Sequence, residues 1–214
     1  MRLEYALTVN DPRSVTTAAI QSASTGSSHM TKADVMTALG ICQSRGGVGL
    51  SLMYAKYKKD RSEADKAIRA IHGFAVDLWI CGDKSRGVSG NGPLKNKAEA
   101  LAVKAVAVMA IEEFTRTADT PGAKCRCGGR GFVNDASSRE FPDEPGIKTC
   151  PRCHGTGLTP LPASRVFKVV SKLLPETSNR AFYSKWKLFY ELLVERCGIE
   201  ESIAAMAYGT LTKF

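Results

Sequence analysis

Apolar side chains recur every three or four residues along most of this chain, a pattern that predicts amphipathic helices. One apolar stripe runs from Ala64 to Trp79, behind a helix cap at Asp60 or Ser62, and a broader one fills residues 94–118. The broader stripe is wide enough for a helix at the centre of a bundle. The pattern therefore predicts a mainly α protein.

A further helix is predicted to begin at a Thr31 cap, with Asp34 in the place of a capping-box acid. Gly46, Gly47 and Gly49 are expected to interrupt or kink this helix, because each glycine costs up to about 1 kcal/mol in a helix interior. The helix is expected to resume beyond these glycines.

The patterns divide the chain into regions. Residues 1–30 are rich in Ser, Thr and Ala without periodicity, so we expect a flexible N-terminal tail. Residues 31–120 are predicted to form a helical body, and residues 197–214 a C-terminal segment that packs on it. Residues 121–196 are predicted to form a separate region. The glycine-rich loop 82–93 lacks the lysine and the preceding buried strand of a nucleotide site, and is predicted to be a mobile connection.

Two cysteine pairs carry the recognisable chemistry. Cys125 and Cys127 form the first pair and Cys150 and Cys153 the second, and each pair is followed by glycines in the order Cys-x-Gly-x-Gly. Two such pairs supply four thiolates for a tetrahedral dication, so we predict a structural zinc site. Four cysteines fill the coordination sphere and leave no position for a substrate, which argues against an enzyme.

The first cysteine pair has one residue between its members instead of the usual two. His154 is therefore an alternative ligand in place of Cys125 or Cys127. A disulfide pair or unrelated buried thiols are the other readings of the four cysteines. Between the pairs, the polar sequence predicts at most a small β-ribbon, with residues 132–134 against 147–149.

The composition of the chain indicates the class of protein and the cellular compartment. The chain has 214 residues, and its 43% hydrophobic and 24% charged content is ordinary for a soluble protein. Cys42, Cys81 and Cys197 are expected to be reduced core residues, which fits a reducing compartment. Residues 1–12 show no signal peptide, and no segment is long and apolar enough to span a membrane, so a cytoplasmic protein without a membrane partner is predicted.

The basic charge is concentrated in the second half of the chain. The net charge is +9, and residues 121–196 hold 13 Lys and Arg against 7 Asp and Glu. A cationic region around a metal module favours a polyanionic partner.

Two short amphipathic helices are predicted after the second cysteine pair, one ended by Pro175 and one directing inward Phe182, Trp186, Phe189 and Leu193. The second helix has a polar and basic opposite face, which suggests a helix-turn-helix that reads double-stranded DNA. Arginine and asparagine at a helix start suit base edges, and lysines suit phosphates. Residues 121–196 are therefore predicted to form a zinc-binding and helix-turn-helix DNA-binding region. The candidate DNA-binding residues are Ser178, Asn179, Arg180, Tyr183, Ser184, Lys187, Lys168 and Lys172.

A series of short motifs covers nearly the whole chain. They are Met1-Arg2-Leu3-Glu4, Asp34-Val35-Met36, Gln43-Ser44, Thr120-Pro121-Gly122-Ala123, the two cysteine clusters, Pro162-Ala163-Ser164 and Glu200-Glu201-Ser202-Ile203-Ala204. In order and spacing they resemble the lambda-type Q antitermination proteins of lambdoid phages. The chain departs from that family's pattern at Cys125, because the family has two residues between the first cysteines.

The resemblance implies a regulator of phage late genes. Such a protein binds DNA within a late promoter, engages bacterial RNA polymerase paused there under the influence of sigma factor, and then suppresses pausing and termination with help from NusA. The zinc loop and the helix pair would bind DNA. Polymerase contacts would fall partly on the helical body.

A zinc-containing chaperone or protein-binding module is the competing interpretation, because Cys-x-Gly-x-Gly clusters also mark the Hsp40 chaperones. That family carries four such clusters and this chain has two. The chain also lacks the His-Pro-Asp tripeptide of a J-domain. The antiterminator is therefore the favoured prediction.

Overall fold

The structure, a computed structural model, describes residues 3–9, 32–135 and 146–212. It is mainly helical, as the apolar stripes predict. The helices are, in chain order, α1 (Leu3–Val9), α2 (Lys32–Met53), α3 (Arg61–Cys81), α4 (Lys97–Phe114), α5 (Ala163–Leu173), α6 (Asn179–Ala181) and α7 (Lys187–Leu211). Within the described ranges, no helix is long and apolar enough to cross a membrane.

Shorter elements complete the architecture. Two π-helical segments, Tyr54–Lys58 after α2 and Phe182–Trp186 between α6 and α7, extend the helices that they adjoin. Among the described residues, four short strands form two antiparallel ribbons, β1 with β2 and β3 with β4. The strands are β1 (Gly82–Asp83), β2 (Val88–Ser89), β3 (Phe132–Asp135) and β4 (Gly146–Thr149).

The described residues form two compact units. Those up to Thr115 and from Val166 onwards make the helical unit, and those from Arg116 to Arg165 make the cysteine unit. This division differs from the prediction of one zinc-binding and DNA-binding region over residues 121–196. The apolar faces of the helices after the second cysteine pair are buried within the helical unit, and the predicted boundary at 196 falls inside α7.

The N-terminal residues of the helical unit differ from the predicted flexible tail. Helix α1 is part of a hydrophobic cluster with α2 and α7, and its Leu3, Ala6 and Leu7 are buried there. These three residues follow helical spacing, but a seven-residue helix gains stability only from such packing. The rest of the predicted tail and the predicted Thr31 cap lie outside the described residues.

Helices α2 and α7 cross at close range, because α2 has glycines where the two helices meet. Gly46 has non-helical angles (φ −140°, ψ 42°) and marks a kink in α2. A Cβ at Gly49 would lie 1.9 Å from the backbone oxygen of Glu200 in α7. Nearby, the thiol of Cys42 donates to the backbone oxygen of Ala204 over 3.3 Å. The glycines thus serve a helix contact in addition to the kink.

Aromatic side chains hold α3 against the start of α7. The ring of Trp79 lies 4.3 Å from that of Trp186 and 5.1 Å from that of Phe189, centroid to centroid. Phe182 and Leu193, the other residues predicted to point inward, are fully buried. The inward face of this helix is therefore confirmed.

The glycine-rich loop after α3 contains a short hairpin, where the sequence predicted only a connection. Strands β1 and β2 pair Gly82 with Ser89. The carboxylate of Asp83 accepts from the Ser85 N–H at 3.0 Å and caps the turn between the strands. Arg86 donates through two guanidinium nitrogens to the carboxylate of Glu195 in α7. This pair is formed between distant positions, so no local pattern could indicate it.

Candidate metal centre and nucleic-acid interface

The four predicted ligands converge in the cysteine unit. The sulfur atoms of Cys125, Cys127, Cys150 and Cys153 all lie within 4.8 Å of one another, and all four residues are buried. The Sγ atoms are 3.9 Å apart for Cys125 and Cys150, and 3.8 Å for Cys127 and Cys153. A metal–sulfur bond of about 2.3 Å gives tetrahedron edges of about 3.8 Å, so the spacing fits a four-thiolate metal site.

The thiols are not joined to one another. All seven cysteines of the chain are free, and the separations within the cluster are far beyond the roughly 2 Å of a disulfide bond. The disulfide interpretation is therefore excluded. The cluster consists of the four thiols, and the exposed His154 is not a member of it. The short spacer between Cys125 and Cys127 still permits both sulfurs to reach the centre.

Two equivalent backbone turns present the thiols. The N–H of Cys125 donates to the oxygen of Gly157, and the N–H of Cys150 donates to the oxygen of Gly131, each at 2.9 Å. The start of each cysteine-containing turn is thus hydrogen-bonded to the end of the other turn in the same way. The repeated sequence folds into a repeated turn, with the four sulfurs between the two copies.

Glycine is required at the last position of each Cys-x-Gly-x-Gly repeat. Gly131 has a φ of 82°, and a Cβ there would lie 2.3 Å from the oxygen of Gly155. Gly157 has a φ of 73°, and a Cβ there would lie 2.3 Å from the oxygen of Gly129. Any other residue would be strained at these angles and would collide with backbone. The glycines let the two turns touch.

A β-ribbon connects the two turns, as the sequence predicts. Strand β3 pairs with β4 in an antiparallel register that sets Phe132 opposite Thr149 and Asn134 opposite Ile147. The ribbon begins directly after Gly131 and ends directly before Cys150, so it fixes the distance between the cysteine pairs.

The electrostatics of the thiols call for a cation. Burial opposes ionisation of Cys127, but the N–H of Gly131 donates to its sulfur at 3.4 Å, and with the neighbouring thiols this lowers the pKa of Cys127 to about 7. Burial and the same neighbours raise the pKa of Cys153 to about 11. Four thiolates in one small space repel one another, so all of them ionise together only around a positive ion.

The candidate DNA-binding residues lie on the helical unit. Seven of the eight are exposed, and Lys187 is half-buried, with its ammonium 2.7 Å from the carboxylate of Glu191. Helix α5 contacts the following helix through the rings of Phe167 and Phe182, whose centroids are 5.2 Å apart. The Oγ of Ser178 accepts from the backbone N–H of Ala181 and caps that following helix. Ser178 is therefore a helix cap as well as a candidate contact.

The helix that follows α5 is longer than the short second helix that the sequence predicts. It starts at Asn179, passes through the π-helical segment Phe182–Trp186 and continues as α7 to Leu211. Its C-terminal half carries Ala204 and Tyr208 in the cluster with α1 and α2. The π segment widens the helix where the candidate residues lie, and no spacing rule for α-helices reveals it.

The features so far define a mainly helical protein with a four-thiol module of the kind that holds a metal ion. A family described as "Antitermination protein Q" matches residues 119–205. The antitermination protein Q of Escherichia phage lambda is 32% identical over the full length of both chains, and that of Salmonella phage P22 is 31% identical over the full length of both. The protein of the same description from Escherichia phage HK022 is 32% identical over 95% of this chain and 96% of its own.

The chain belongs to the antitermination protein Q family. The family assignment covers both units, because the phage lambda relative aligns from end to end. The resemblance drawn from the short motifs is confirmed.

Proposed function

We propose that this protein is a phage transcription antiterminator. It binds promoter DNA of the late genes, loads onto sigma-paused RNA polymerase in the cytoplasm of the bacterial host, and suppresses pausing and termination with NusA. The observation that carries this proposal is the full-length similarity to the antitermination protein Q of phage lambda. The activity is regulatory, and no catalytic role is assigned to any residue.

The metal of the cysteine unit is proposed to be zinc. Four buried thiols at tetrahedral spacing suit a soft dication without redox chemistry, and a closed sulfur shell gives the ion a structural role. The residues that would hold it are Cys125, Cys127, Cys150 and Cys153.

The DNA-binding surface is proposed to be the start of the long helix together with α5. Asn179 and Arg180 lie exposed in its first turn, where a helix in the major groove meets base edges. Tyr183 and Ser184 follow on the exposed side, and Lys168, Lys172 and Lys187 supply charge for phosphates. The helix-turn-helix reading thus rests on exposure, charge and position. Polymerase contacts are proposed for the helical unit away from this surface.

The proposed recognition of the promoter sequence is tested by a footprint on late-promoter DNA with the Arg180→Ala variant. Loss of a bidentate contact to guanine costs about 1 to 3 kcal/mol, so the preference for promoter over unrelated DNA should fall roughly 5- to 150-fold. Nonspecific binding should change little. The matched control is Arg69→Ala, which removes an exposed arginine from α3. An unchanged footprint for Arg180→Ala would place recognition elsewhere.

The test of antitermination itself is transcription from a late promoter through a terminator with purified polymerase and NusA. Added protein should increase readthrough and shorten the promoter-proximal pause. Readthrough that does not respond to the wild-type protein would overturn the proposed function.

A further inference from the structure

We propose that the hairpin loop, residues 82–96, is a second DNA-contacting element, whose Lys84 and Lys95 bind phosphates beside the helix start. This inference rests on the proposed DNA-binding function. It assigns a binding role to a segment that the sequence indicates only as a connection.

The first observation is charge. The segment 82–96 contains Lys84, Arg86 and Lys95 against the single acid Asp83. The carboxylate of Asp83 lies 3.5 Å from the Arg86 guanidinium, so the only acid of the segment is already neutralised. Lys84 and Lys95 are exposed. A cationic segment of this kind attracts a polyanion.

The second observation is the close backbone packing of the hairpin. A Cβ at Gly82 would lie 2.2 Å from the oxygen of Val88, and one at Gly90 would lie 2.2 Å from the oxygen of Ile80. The N–H of Asn91 also donates to the oxygen of Trp79 at 2.8 Å. This packing sets the position of the backbone that carries Lys84, so binding costs the ordering of the lysine side chain and not of the loop.

The third observation is the place where the hairpin docks. The bidentate contact from Arg86 to Glu195 ties it to α7. Its Ser89 and Asn91 line a cavity of about 430 Å³ whose other wall includes Ser184 and Lys185. The hairpin therefore lies next to Ser184, one of the candidate DNA-binding residues.

The far end of the segment lies near the same helix start. Burial lowers the pKa of Lys185, the carboxylate of Glu99 raises it, and the charge of Lys95 lowers it, so these three groups are neighbours. The carboxylate of Glu99 also accepts from the backbone N–H of Lys95 at 2.7 Å and supplies a negative charge beside the two lysines. The side chain of Lys95 stays exposed next to the helix start, where a DNA phosphate would meet it.

Duplex DNA is the partner that this arrangement favours. A helix that enters the major groove places its flanks over the sugar-phosphate backbones, and an ordered cationic hairpin beside the helix start is set to meet one of them. An acidic surface of the polymerase is the competing partner for the same cations.

The experiment compares the salt dependence of promoter-DNA binding for wild type and for the double variant Lys84→Ala/Lys95→Ala. Each lost phosphate contact lowers the slope of log K against log salt by about 0.9, so the double variant should lose roughly 1.8 units. Its preference for promoter over unrelated DNA should not change. Both lysines are exposed, and the melting temperature should confirm that the variant folds.

The double variant Arg69→Ala/Lys104→Ala, which removes two exposed cations from α3 and α4, is the charge-matched control and should keep the wild-type slope. A double variant with the wild-type slope overturns the inference. If that variant also loses readthrough in the transcription assay, its lysines face the polymerase. If the wild-type protein itself fails to bind promoter DNA, the proposed function fails, and that outcome is separate from failure of the hairpin inference alone.

Discussion

Each of the two units of this protein has a different kind of interior. In the helical unit, large apolar side chains such as Trp79, Phe182 and Tyr208 are fully buried. In the described part of the cysteine unit, the buried apolar residues are Ala123 and the four cysteines, with Val133 partly buried against them. One unit has a hydrocarbon core and the other has a cluster of thiols in its place.

The difference shows what each unit needs in order to fold. A segment of this size that buries few large apolar side chains gains too little from the hydrophobic effect to offset its chain entropy. Metal binding supplies that free energy in small thiol-ligated modules. We therefore expect the helical unit to fold without metal and the cysteine unit to depend on it.

The largest effect is expected from Cys150→Ser. A serine hydroxyl is a poor ligand for a soft dication, so the variant should lose its metal and the fold of the cysteine unit, while the helical unit keeps its far-ultraviolet circular dichroism. Metal content by mass spectrometry checks the first part. Cys81, which the sequence predicted to lie in the core, is exposed on α3, so Cys81→Ser is the matched control and should retain the metal. Full metal retention in Cys150→Ser would contradict the ligand assignment.

Gly49→Ala is expected to act on the helical unit alone. The new Cβ would collide with the Glu200 oxygen between α2 and α7, at a cost of about 1 to 3 kcal/mol in the free energy of unfolding. At Gly47 a Cβ meets nothing within 4 Å, so Gly47→Ala should be neutral or stabilise by up to about 1 kcal/mol. Urea denaturation measures both. Equal stabilities for the two variants would mean that the close crossing of α2 and α7 is absent.

The two units are expected to respond to pH in opposite directions. Burial raises the pKa of Cys197 in the helical unit to about 12. The unfolded thiol ionises near pH 8.5, so stability from the neutral thiol is fully present below that pH and is lost as pH rises towards 12. Thiolate ligands instead take up protons as pH falls, so the cysteine unit should lose its metal on acidification.

Urea titrations across alkaline pH and metal release across acid pH measure the two responses. Cys197→Ala, although less stable overall, should show a shallower alkaline decline than wild type. An identical decline would remove Cys197 as its cause.

The smallest effect is expected from Lys187→Ala in the helical unit. Loss of one phosphate contact should reduce the salt slope of DNA binding by about 0.9 and weaken specific and nonspecific binding alike. Lys104→Ala on α4 serves as the control of equal charge. A slope equal to wild type would show that Lys187 touches no phosphate and stays with Glu191.

Local patterns in the sequence were sufficient to predict the cluster of four thiols. The Cys-x-Gly-x-Gly repeats indicate it because each cysteine and the glycines that permit its turn are a few residues apart. The ribbon between the repeats, the cap at Asp60 and the inward face of Phe182, Trp186 and Phe189 follow for the same reason. In each case the determining contact is short in sequence or repeats with the helical period.

Contacts between residues that are far apart in the sequence could not be predicted from local patterns. An apolar stripe shows that α5 and α7 are buried but not against which element, so the predicted region 121–196 differs from the compact unit Arg116–Arg165. Helix α1 is too short to be predicted from its own sequence, because its Leu3 and Leu7 are buried only by contact with α2 and α7. The hairpin after α3 is fixed by Arg86 and Glu195, which are 109 residues apart.

The most direct test of the difference between the units is amide hydrogen exchange, read by mass spectrometry, before and after a chelator removes the metal. We expect protection to be lost in residues 116–135 and 146–165 and to be kept in α2, α3, α4 and α7. Protection that persists around Cys125 and Cys150 in metal-free protein, or that disappears equally from both units, would contradict the account.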